Sequence, residues 1–178
     1  MRWLWLPFLV LVLGGCGTSL KNYHNTEPRF QLEEFFVGDL TAYGMVQDRS
    51  GTVLRRFRVD MTATWQGNKG VLDELFYYDD GEQQRRVWYL TKNPDGSYSG
   101  NADDVVVPAR GSTSGFALNW HYTLEIPVDG STWEIHFDDW MYLLDENRLI
   151  NRAEMTKWGF RVGEVILWIE KNQNPSAR

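Results

Sequence analysis

The chain contains a single cysteine, Cys16, in a position suited to covalent attachment of lipid. Arg2 supplies a positive charge, an apolar run covers residues 3–13, and two glycines directly precede the cysteine. A short apolar core that ends in small residues is typical of a cleaved export signal, and this run is too short to span a bilayer as a stable helix. Small residues fit signal peptidase, and the thiol of the following cysteine accepts the lipid. We therefore predict a lipoprotein signal peptide over residues 1–15 and lipidation at Cys16. The alternatives are an ordinary signal peptide and an uncleaved anchor.

The residue after the cysteine bears on the destination of the protein. Gly17 stands where an aspartate would indicate retention in the inner membrane of enterobacteria. The sequence thus predicts attachment to the periplasmic face of the bacterial outer membrane through acyl chains on Cys16, palmitate among them. Stable anchoring needs about two lipid signals, and the acyl chains on a lipoprotein cysteine exceed that number.

Neighbouring carboxylates occur at residues 79–80, 103–104 and 138–139, and a pair of acids is what glycoside hydrolysis requires. Adjacent residues of a strand point to opposite faces, so the last pair cannot act on one substrate. The first pair precedes a glycine in a sequence typical of a turn. The sequence has no Gly-x-Ser-x-Gly motif, and its histidines lack metal-ligand spacing. We therefore expect a protein that is not an enzyme and that uses no metal or cofactor.

Asp139 differs from the other acids, because it alternates with apolar residues along its predicted strand. A carboxylate on an apolar face is either paired with a cation or shifted in pKa. Arg86 and Lys157 lie on the apolar faces of other predicted strands and are the candidate partners. We interpret the group first as an internal ion pair that fixes the packing. The alternative is a polar binding group inside a cavity, which would orient the carboxylate or head group of a bound lipid.

Aromatic residues are abundant, with 9 Trp, 8 Tyr and 9 Phe. Trp and Tyr suit ligand pockets because each combines an apolar ring with one polar atom. The candidate ligand-binding residues are Trp65, Arg86, Trp88, Trp120, Tyr122, Phe137, Asp139 and Lys157. Their rings either line a cavity or fill the core. The cavity is slightly favoured, because a filled barrel would use more branched aliphatic residues.

Strands are predicted to position these side chains, because hydrophobicity alternates with a period of two after residue 37. The predicted strands cover residues 38–47, 53–65, 71–78, 84–91, 98–102, 105–107, 116–126, 133–143, 149–158 and 162–170. Residues 30–36 form one or two helical turns, and the glycine- and serine-rich residues 111–115 are interpreted as a flexible loop. Turn sequences that suit hairpins separate the strands. No longer helix fits between them, which excludes a parallel α/β sheet.

About eight to ten consecutive antiparallel strands close most simply into an up-and-down barrel, since closure removes exposed edges. A β-sandwich is the alternative, but no long connection is present for a Greek key. We predict an all-β barrel domain over residues 30–172, a lipidated tether over 16–29 and a C-terminal tail over 173–178. His121 and His136 fall on adjacent strands, where we interpret them as outward residues facing one another.

Composition limits the partners of this domain. The part that remains after the signal peptide is long enough for one domain with its own core. The formal net charge is −6 for the whole chain and −7 once Arg2 leaves with the signal peptide, which argues against nucleic acid and against an anionic membrane surface as partners. Since no second cysteine is present, disulfides cannot stabilise the domain, and packing must do so.

Several motifs follow the lipidation motif Leu13-Gly14-Gly15-Cys16, the lipobox, in a fixed order along the chain. They are Phe35-Phe36-Val37-Gly38, Asp60-Met61-Thr62, Tyr78-Asp79-Asp80-Gly81, Ala102-Asp103-Asp104-Val105, Phe137-Asp138-Asp139-Trp140-Met141-Tyr142 and residues 159–165. This order resembles an uncharacterised family of Gram-negative lipoproteins, the domain of unknown function 3833, over nearly all of the mature chain. The resemblance implies no activity. The predicted barrel is similar in topology to lipocalins, although the Gly-x-Trp of their first strand is absent here, where Asp39 and Leu40 follow Gly38.

These observations predict a lipoprotein whose barrel binds an apolar or amphipathic small molecule, such as a fatty acid or another lipid. An envelope structural or assembly protein with a filled barrel, acting through protein contacts, is the alternative. A lipid-modifying enzyme that uses interior polar groups ranks third. A cavity above about 300 Å³ would favour the first function. A large exposed apolar patch without a cavity would favour the second.

Overall fold

The structure, a computed structural model, describes residues 18–128 and 130–172, and most of these residues form β-strands. The strands are β1 (Gly38–Asp48), β2 (Val53–Gln66), β3 (Lys69–Tyr78), β4 (Gln83–Lys92), β5 (Tyr98–Asn101), β6 (Val105–Ser114), β7 (Ala117–Val128), β8 (Ser131–Leu143), β9 (Arg148–Lys157) and β10 (Phe160–Lys171). A 3₁₀ turn (Leu20–Tyr23) and the short helix α1 (Leu32–Phe35) precede them. The predicted signal peptide, Cys16 and the tail 173–178 lie outside the described residues.

Each strand pairs antiparallel with the next one along the chain, and β1 pairs with β10, so the sheet closes into a barrel. This arrangement confirms the predicted all-β, up-and-down barrel. Closure gives every strand two neighbours, although the short β5 pairs with only the last four residues of β4, Tyr89–Lys92. No helix in the described part of the chain is long and apolar enough to cross a membrane.

The strands follow the alternation that the sequence predicted. In β8, Ile135, Phe137 and Asp139 are buried, whereas Glu134 and His136 are exposed. Successive side chains of a strand point to opposite faces, so a period of two in hydrophobicity becomes an inner and an outer surface of the barrel. The predicted inward position of Asp139 is therefore confirmed.

The predicted flexible loop at residues 111–115 is wrong over most of its length, because residues 111–114 continue β6 to Ser114. Gly111 lies opposite Trp120 in the register between β6 and β7. A Cβ atom at residue 111 would overlap the Trp120 ring and approach the backbone oxygen of Asn119 to 2.8 Å. The glycine therefore makes room for an indole, and its presence in the sequence does not indicate flexibility.

Helix α1 and the residues before it close one end of the barrel, and we call this end the plug. Phe30, Leu32, Phe35 and Phe36 are all buried there. A helix of four residues is not stable by itself, so its position must come from these tertiary contacts. Glu33 strengthens them, since it accepts a hydrogen bond from the Tyr98 hydroxyl at 2.7 Å and forms an ion pair with Lys92.

Part of the predicted tether also packs against the barrel. The Tyr23 ring lies 5.1 Å from the Phe116 ring and 5.7 Å from the Tyr142 ring, measured between centroids. The backbone N–H of Phe30 donates to the carbonyl oxygen of Gly115 at 2.7 Å. These contacts attach the segment between Tyr23 and Phe30 to the plug end, so that this part does not extend as a free linker.

The β9–β10 hairpin ends in a strained two-residue turn. Lys157 pairs with Phe160, and φ is 52° at Trp158 and 81° at Gly159. A left-handed backbone at both turn positions favours asparagine followed by glycine and is costly for a bulky residue. The Trp158 side chain is 86% exposed, so little burial offsets this cost.

We therefore expect Trp158→Asn to raise the free energy of unfolding by about 1 kcal/mol. Urea denaturation of the two proteins would measure the difference. Trp158→Ala is the matched control, because alanine removes the ring but lacks the side-chain amide that lets asparagine adopt a left-handed backbone. A variant with asparagine no more stable than the one with alanine would contradict the prediction.

Candidate functional site

The barrel encloses a cavity of about 800 Å³. At the plug, Leu32 and Phe36 line it, and at the opposite end Leu54, Glu82 and Val128 do so. Leu54 and Glu82 are exposed to solvent, so the cavity opens at that end, which we call the mouth. Small-molecule sites generally occupy about 300–1,000 Å³. The barrel therefore has room for a ligand of ordinary size.

Six of the eight predicted residues line this cavity, namely Arg86, Trp88, Trp120, Tyr122, Phe137 and Asp139. The four aromatic rings among them form a continuous wall. Trp88 lies edge-on to Trp120 and to Tyr122, with centroid distances of 6.1 Å and 5.4 Å. Tyr122 stacks on Phe137 at 4.8 Å. An apolar ligand would thus meet flat, rigid surfaces that lose little side-chain entropy on binding.

The other two predicted residues, Trp65 and Lys157, do not line the cavity. Trp65 belongs to the plug end, where its indole N–H donates to the Phe36 carbonyl oxygen at 2.9 Å and its ring covers Gly70. Lys157 lies at the mouth, with its ammonium 3.0 Å from the centroid of the Trp133 ring. Both residues occupy the end of a strand, where a side chain that points inward lies beyond the cavity.

The cavity wall carries a group of polar side chains that we call the polar band: Glu74, Arg86, Asp104, Tyr122, Asp139 and Asn151. Arg86 donates to both carboxylate oxygens of Asp104, from Nε at 3.1 Å and 3.0 Å and from Nη2 at 2.8 Å. Such a bidentate contact uses one edge of the guanidinium, formed by Nε and Nη2. The cation of the polar band is therefore engaged by Asp104.

Asp139 has hydrogen-bond donors as partners rather than a cation. It accepts hydrogen bonds from the Asn151 amide and, at 3.4 Å, from the Tyr122 hydroxyl. Within the described residues no basic side chain lies within ion-pair distance of its carboxylate. The predicted ion pair with Arg86 or Lys157 is therefore wrong. Burial instead raises the pKa of Asp139 to about 7.

Glu74 is a cavity residue that sequence reasoning missed. It lies on the inner face of β3 between Leu72 and Phe76, and the strand register places it opposite Arg86. Burial raises the pKa of Glu74 to about 7, although the positive charge of Arg86 acts in the opposite direction. The signal was present in the sequence, because Glu74 interrupts an apolar face in the same way as Asp139.

Asn151 and Asp104 were missed for different reasons. Asn151 is buried on the inner face of β9 between Leu149 and Ala153, so alternation could have identified it. Asp104 lies in the connection between β5 and β6, where no periodic pattern exists. Only the folded barrel brings Asp104 to Arg86, which is 18 residues away in the sequence.

Other polar residues singled out in the sequence lie on the outer surface. Asp138 accepts a hydrogen bond from the Asn119 amide at 2.7 Å. The rings of His121 and His136 stack with their centroids 6.2 Å apart, as predicted for residues that face one another across a hairpin. No cluster of three or more histidine, cysteine, aspartate or glutamate side chains in residues 18–128 and 130–172 is arranged to hold a metal ion.

The chain is similar to a protein family and, at low sequence identity, to solved structures. The model of a family described as protein of unknown function (DUF3833) matches residues 10–171. A search of curated proteins returns no match. Among solved structures, apocrustacyanin A1 of lobster is similar, with 12% sequence identity and a TM-score of 0.38. The aligned region covers 78% of this chain and 62% of that protein, so this chain spans less than two thirds of its length.

Proposed function

We propose that this chain, which belongs to the DUF3833 family, is a lipid-anchored binding protein whose barrel holds an apolar or amphipathic small molecule. The observation that carries the proposal is the cavity of about 800 Å³, with its aromatic wall and its polar band. A mostly apolar cavity with a few convergent polar groups is the usual form of a ligand site. A fatty acid or another lipid is the ligand class that the sequence suggested.

The shape of the cavity supports an elongated ligand. Apolar side chains line it from Leu32 and Phe36 at the plug to Ile126 and Trp133 near the mouth. The polar band lies part-way along this path. A chain that enters tail first could therefore bury its tail against the plug while its polar group reaches the band. Burial of each methylene group would contribute about 0.8 kcal/mol.

Binding is tested with N-phenyl-1-naphthylamine, a neutral apolar probe that fluoresces strongly when it leaves water. The described residues contain the whole closed barrel, so a chain that begins at Thr18 behind a cleavable export signal is suitable. We expect saturable binding near the micromolar range, about −8 kcal/mol. Native mass spectrometry of the same protein would show whether a cellular lipid purifies with it.

A cavity-filling substitution identifies where the probe binds. Ala153 is buried on the inner face of β9 and lines the cavity, so Ala153→Phe should weaken probe binding about tenfold or more. Ile150→Phe, on the partly exposed outer face of the same strand, is the matched control and should leave binding unchanged. Equal affinity in all three proteins would place the probe outside the barrel and contradict the proposed function.

Anchoring is tested separately from binding. Cys16 is the only thiol of the chain, so Cys16→Ser should abolish labelling with palmitate and leave an unprocessed precursor. Metabolic labelling followed by electrophoresis measures both effects. Continued incorporation of palmitate into the Cys16→Ser protein would show that the lipidation site is elsewhere.

One observation favours the alternative function, an envelope protein that acts through protein contacts. The side chains of Trp158 and Phe160 are 86% and 76% exposed at the mouth. Exposed aromatic side chains close together are common at interaction surfaces. A stable partner that cross-links to this hairpin in cells, combined with no probe binding by the barrel, would support the alternative.

A further inference from the structure

The polar band contains more carboxyl groups than cations. Glu74, Asp104 and Asp139 face the interior together with the guanidinium of Arg86. The other cavity arginine, Arg55, forms ion pairs with Asp80 and Glu82 at the mouth. Asp104 already accepts three hydrogen-bond contacts from Arg86, at 2.8–3.1 Å. A carboxylate ligand would have to share Arg86 with Asp104 and lie near the carboxyl groups of Glu74 and Asp139, and repulsion between like charges in a poorly hydrated site opposes this. The interior is therefore unfavourable to an anionic head group.

Hydrogen-bond acceptors are also in excess. The Tyr122 hydroxyl and the Asn151 amide both donate to Asp139, and Arg86 donates to Asp104. Asp139 is only 5% exposed and lines the cavity, so its carboxyl group is a deeply buried acceptor at the ligand-accessible wall. Glu74 adds a second carboxyl group, and within the described residues no basic side chain lies within ion-pair distance of it. An ionised carboxylate offers about four acceptor sites and no donor.

Aromatic rings lie beside the carboxyl groups of the polar band. Trp120 is paired with Asp139 in the register between β7 and β8, and Trp88 contacts Trp120 and Tyr122. The faces of Trp and Tyr attract cations through the ring quadrupole, and carboxylates add direct charge attraction. Aromatic faces beside carboxyl groups are what an ammonium group requires.

We propose that the polar group of the ligand is a hydrogen-bond donor, an amine or a hydroxyl on an apolar chain, held by the carboxyl groups of Glu74 and Asp139. This inference rests on the proposed function and narrows its ligand class. The same arrangement disfavours ligands with an ionised carboxylate. Above pH 7, where these carboxyl groups are ionised, long-chain amines are then the best ligands, long-chain alcohols follow, and fatty acids are the weakest.

The test compares three ligands that share one chain: dodecylamine, dodecanol and dodecanoate. Each is used below its micelle concentration to displace N-phenyl-1-naphthylamine from the chain that begins at Thr18. At pH 8 we expect the amine to bind about tenfold or more tightly than the carboxylate, which corresponds to about 1.4 kcal/mol. The alcohol controls for the chain, since it donates a hydrogen bond without carrying charge.

Substitutions show whether the two carboxyl groups are responsible. Glu74→Gln and Asp139→Asn keep the shape of each side chain and remove its charge, so each should reduce the preference for the amine several-fold. Asp138→Asn is the matched control, because Asp138 is the neighbour of Asp139 and points to the outer surface. Melting curves of all variants confirm folding, and the wild-type ligand series tests the inference even where a variant is unstable.

The pH dependence supplies a second readout. Glu74 and Asp139 both line the cavity, with Arg86, Asp104 and Tyr122 as the other titratable groups around them. Burial raises the pKa of both Glu74 and Asp139 to about 7. Between pH 6 and pH 8 these carboxyl groups ionise, while an alkyl ammonium stays protonated. Amine binding should therefore tighten as the pH rises, whereas alcohol binding should change less.

The possible results separate the inference from the function on which it rests. A carboxylate that binds as tightly as the amine at pH 8 would overturn the inference and leave the binding function intact. An amine preference that survives in both Glu74→Gln and Asp139→Asn would also overturn it. Failure of the probe and of all three ligands to bind would refute the binding function itself.

Discussion

Asp139→Asn is expected to stabilise the protein at pH 8 and to leave its stability nearly unchanged at pH 4. The pKa of Asp139 is about 7 in the folded protein, above the ordinary value of 3.8. The folded state therefore binds this proton more tightly than the unfolded state does. The resulting stabilisation is present below about pH 4 and is lost as the pH rises through 7, where the buried carboxyl group ionises.

A pKa that rises from 3.8 to about 7 corresponds to about 4 kcal/mol when the group is fully ionised. Water that enters through the mouth reduces this cost, so we expect Asp139→Asn to raise the free energy of unfolding at pH 8 by about 2 kcal/mol. The amide oxygen of the new side chain can still accept the hydrogen bond from Asn151. Urea denaturation at pH 4, 6 and 8 measures the change.

The control for this experiment is Asp138→Asn, which changes a carboxylate on the outer surface. Its effect on the free energy of unfolding should not grow between pH 4 and pH 8 in the way expected for Asp139→Asn. If the difference between wild type and Asp139→Asn were the same at all three pH values, the carboxyl group would titrate normally, and the description of Asp139 as a desolvated acid would be wrong.

Trp120→Ala should produce the largest loss of stability of any substitution considered for this protein, about 3–5 kcal/mol. The Trp120 side chain is 5% exposed, and its ring fills the space left by Gly100 and Gly111. Removal of the indole would leave the small residues beneath it without contacts and would enlarge the cavity. Thermal or guanidinium denaturation would measure the loss, and ligand affinity should fall at the same time.

Trp133→Ala is the matched control, because Trp133 also lines the cavity but lies at the mouth and is 37% exposed. We expect it to destabilise the fold much less than Trp120→Ala. Equal losses from the two substitutions would mean that burial at Trp120 does not determine stability. A stable Trp120→Ala protein with lost ligand binding would assign the indole to the ligand alone.

The fold could be predicted from the sequence because a barrel of sequential hairpins depends on local signals. Alternation set the inner and outer faces of β2 and β8, and turn residues such as the Asp79-Asp80-Gly81 run marked where strands end. Residues 111–114 were misread because Gly111 has a packing role, and glycine has the same appearance in a sequence whether it is needed for space or for flexibility.

The candidate site was predicted less completely, because alternation gives the direction of a side chain but not its depth. Trp65 and Lys157 point inward by their position in the pattern, yet one lies in the plug and the other at the mouth. The partner of Arg86 could not be predicted either. The choice of Asp104 over Asp139 depends on how the β5–β6 connection folds back over β4, and no periodic pattern encodes that path.

The direction in which the barrel faces follows from where its chain ends lie. β1 begins directly after α1, and the Lys171 ammonium near the end of β10 donates to the Glu34 carbonyl oxygen at 2.8 Å, so both described ends leave at the plug. Among the described residues, hairpin connections border the mouth. β2 has 14 residues, which at about 3.3 Å each and a tilt of about 40° span about 35 Å along the barrel axis.

An attachment at either end of the described chain, next to Thr18 or Asn172, would therefore point the opening away from the support, about one barrel length from it. The connections around the opening can then change in length or composition without moving the point of attachment. For the same reason, a fluorescent protein or a surface tag joined to either end would leave the entrance unobstructed, which makes this barrel a convenient scaffold for a sensor.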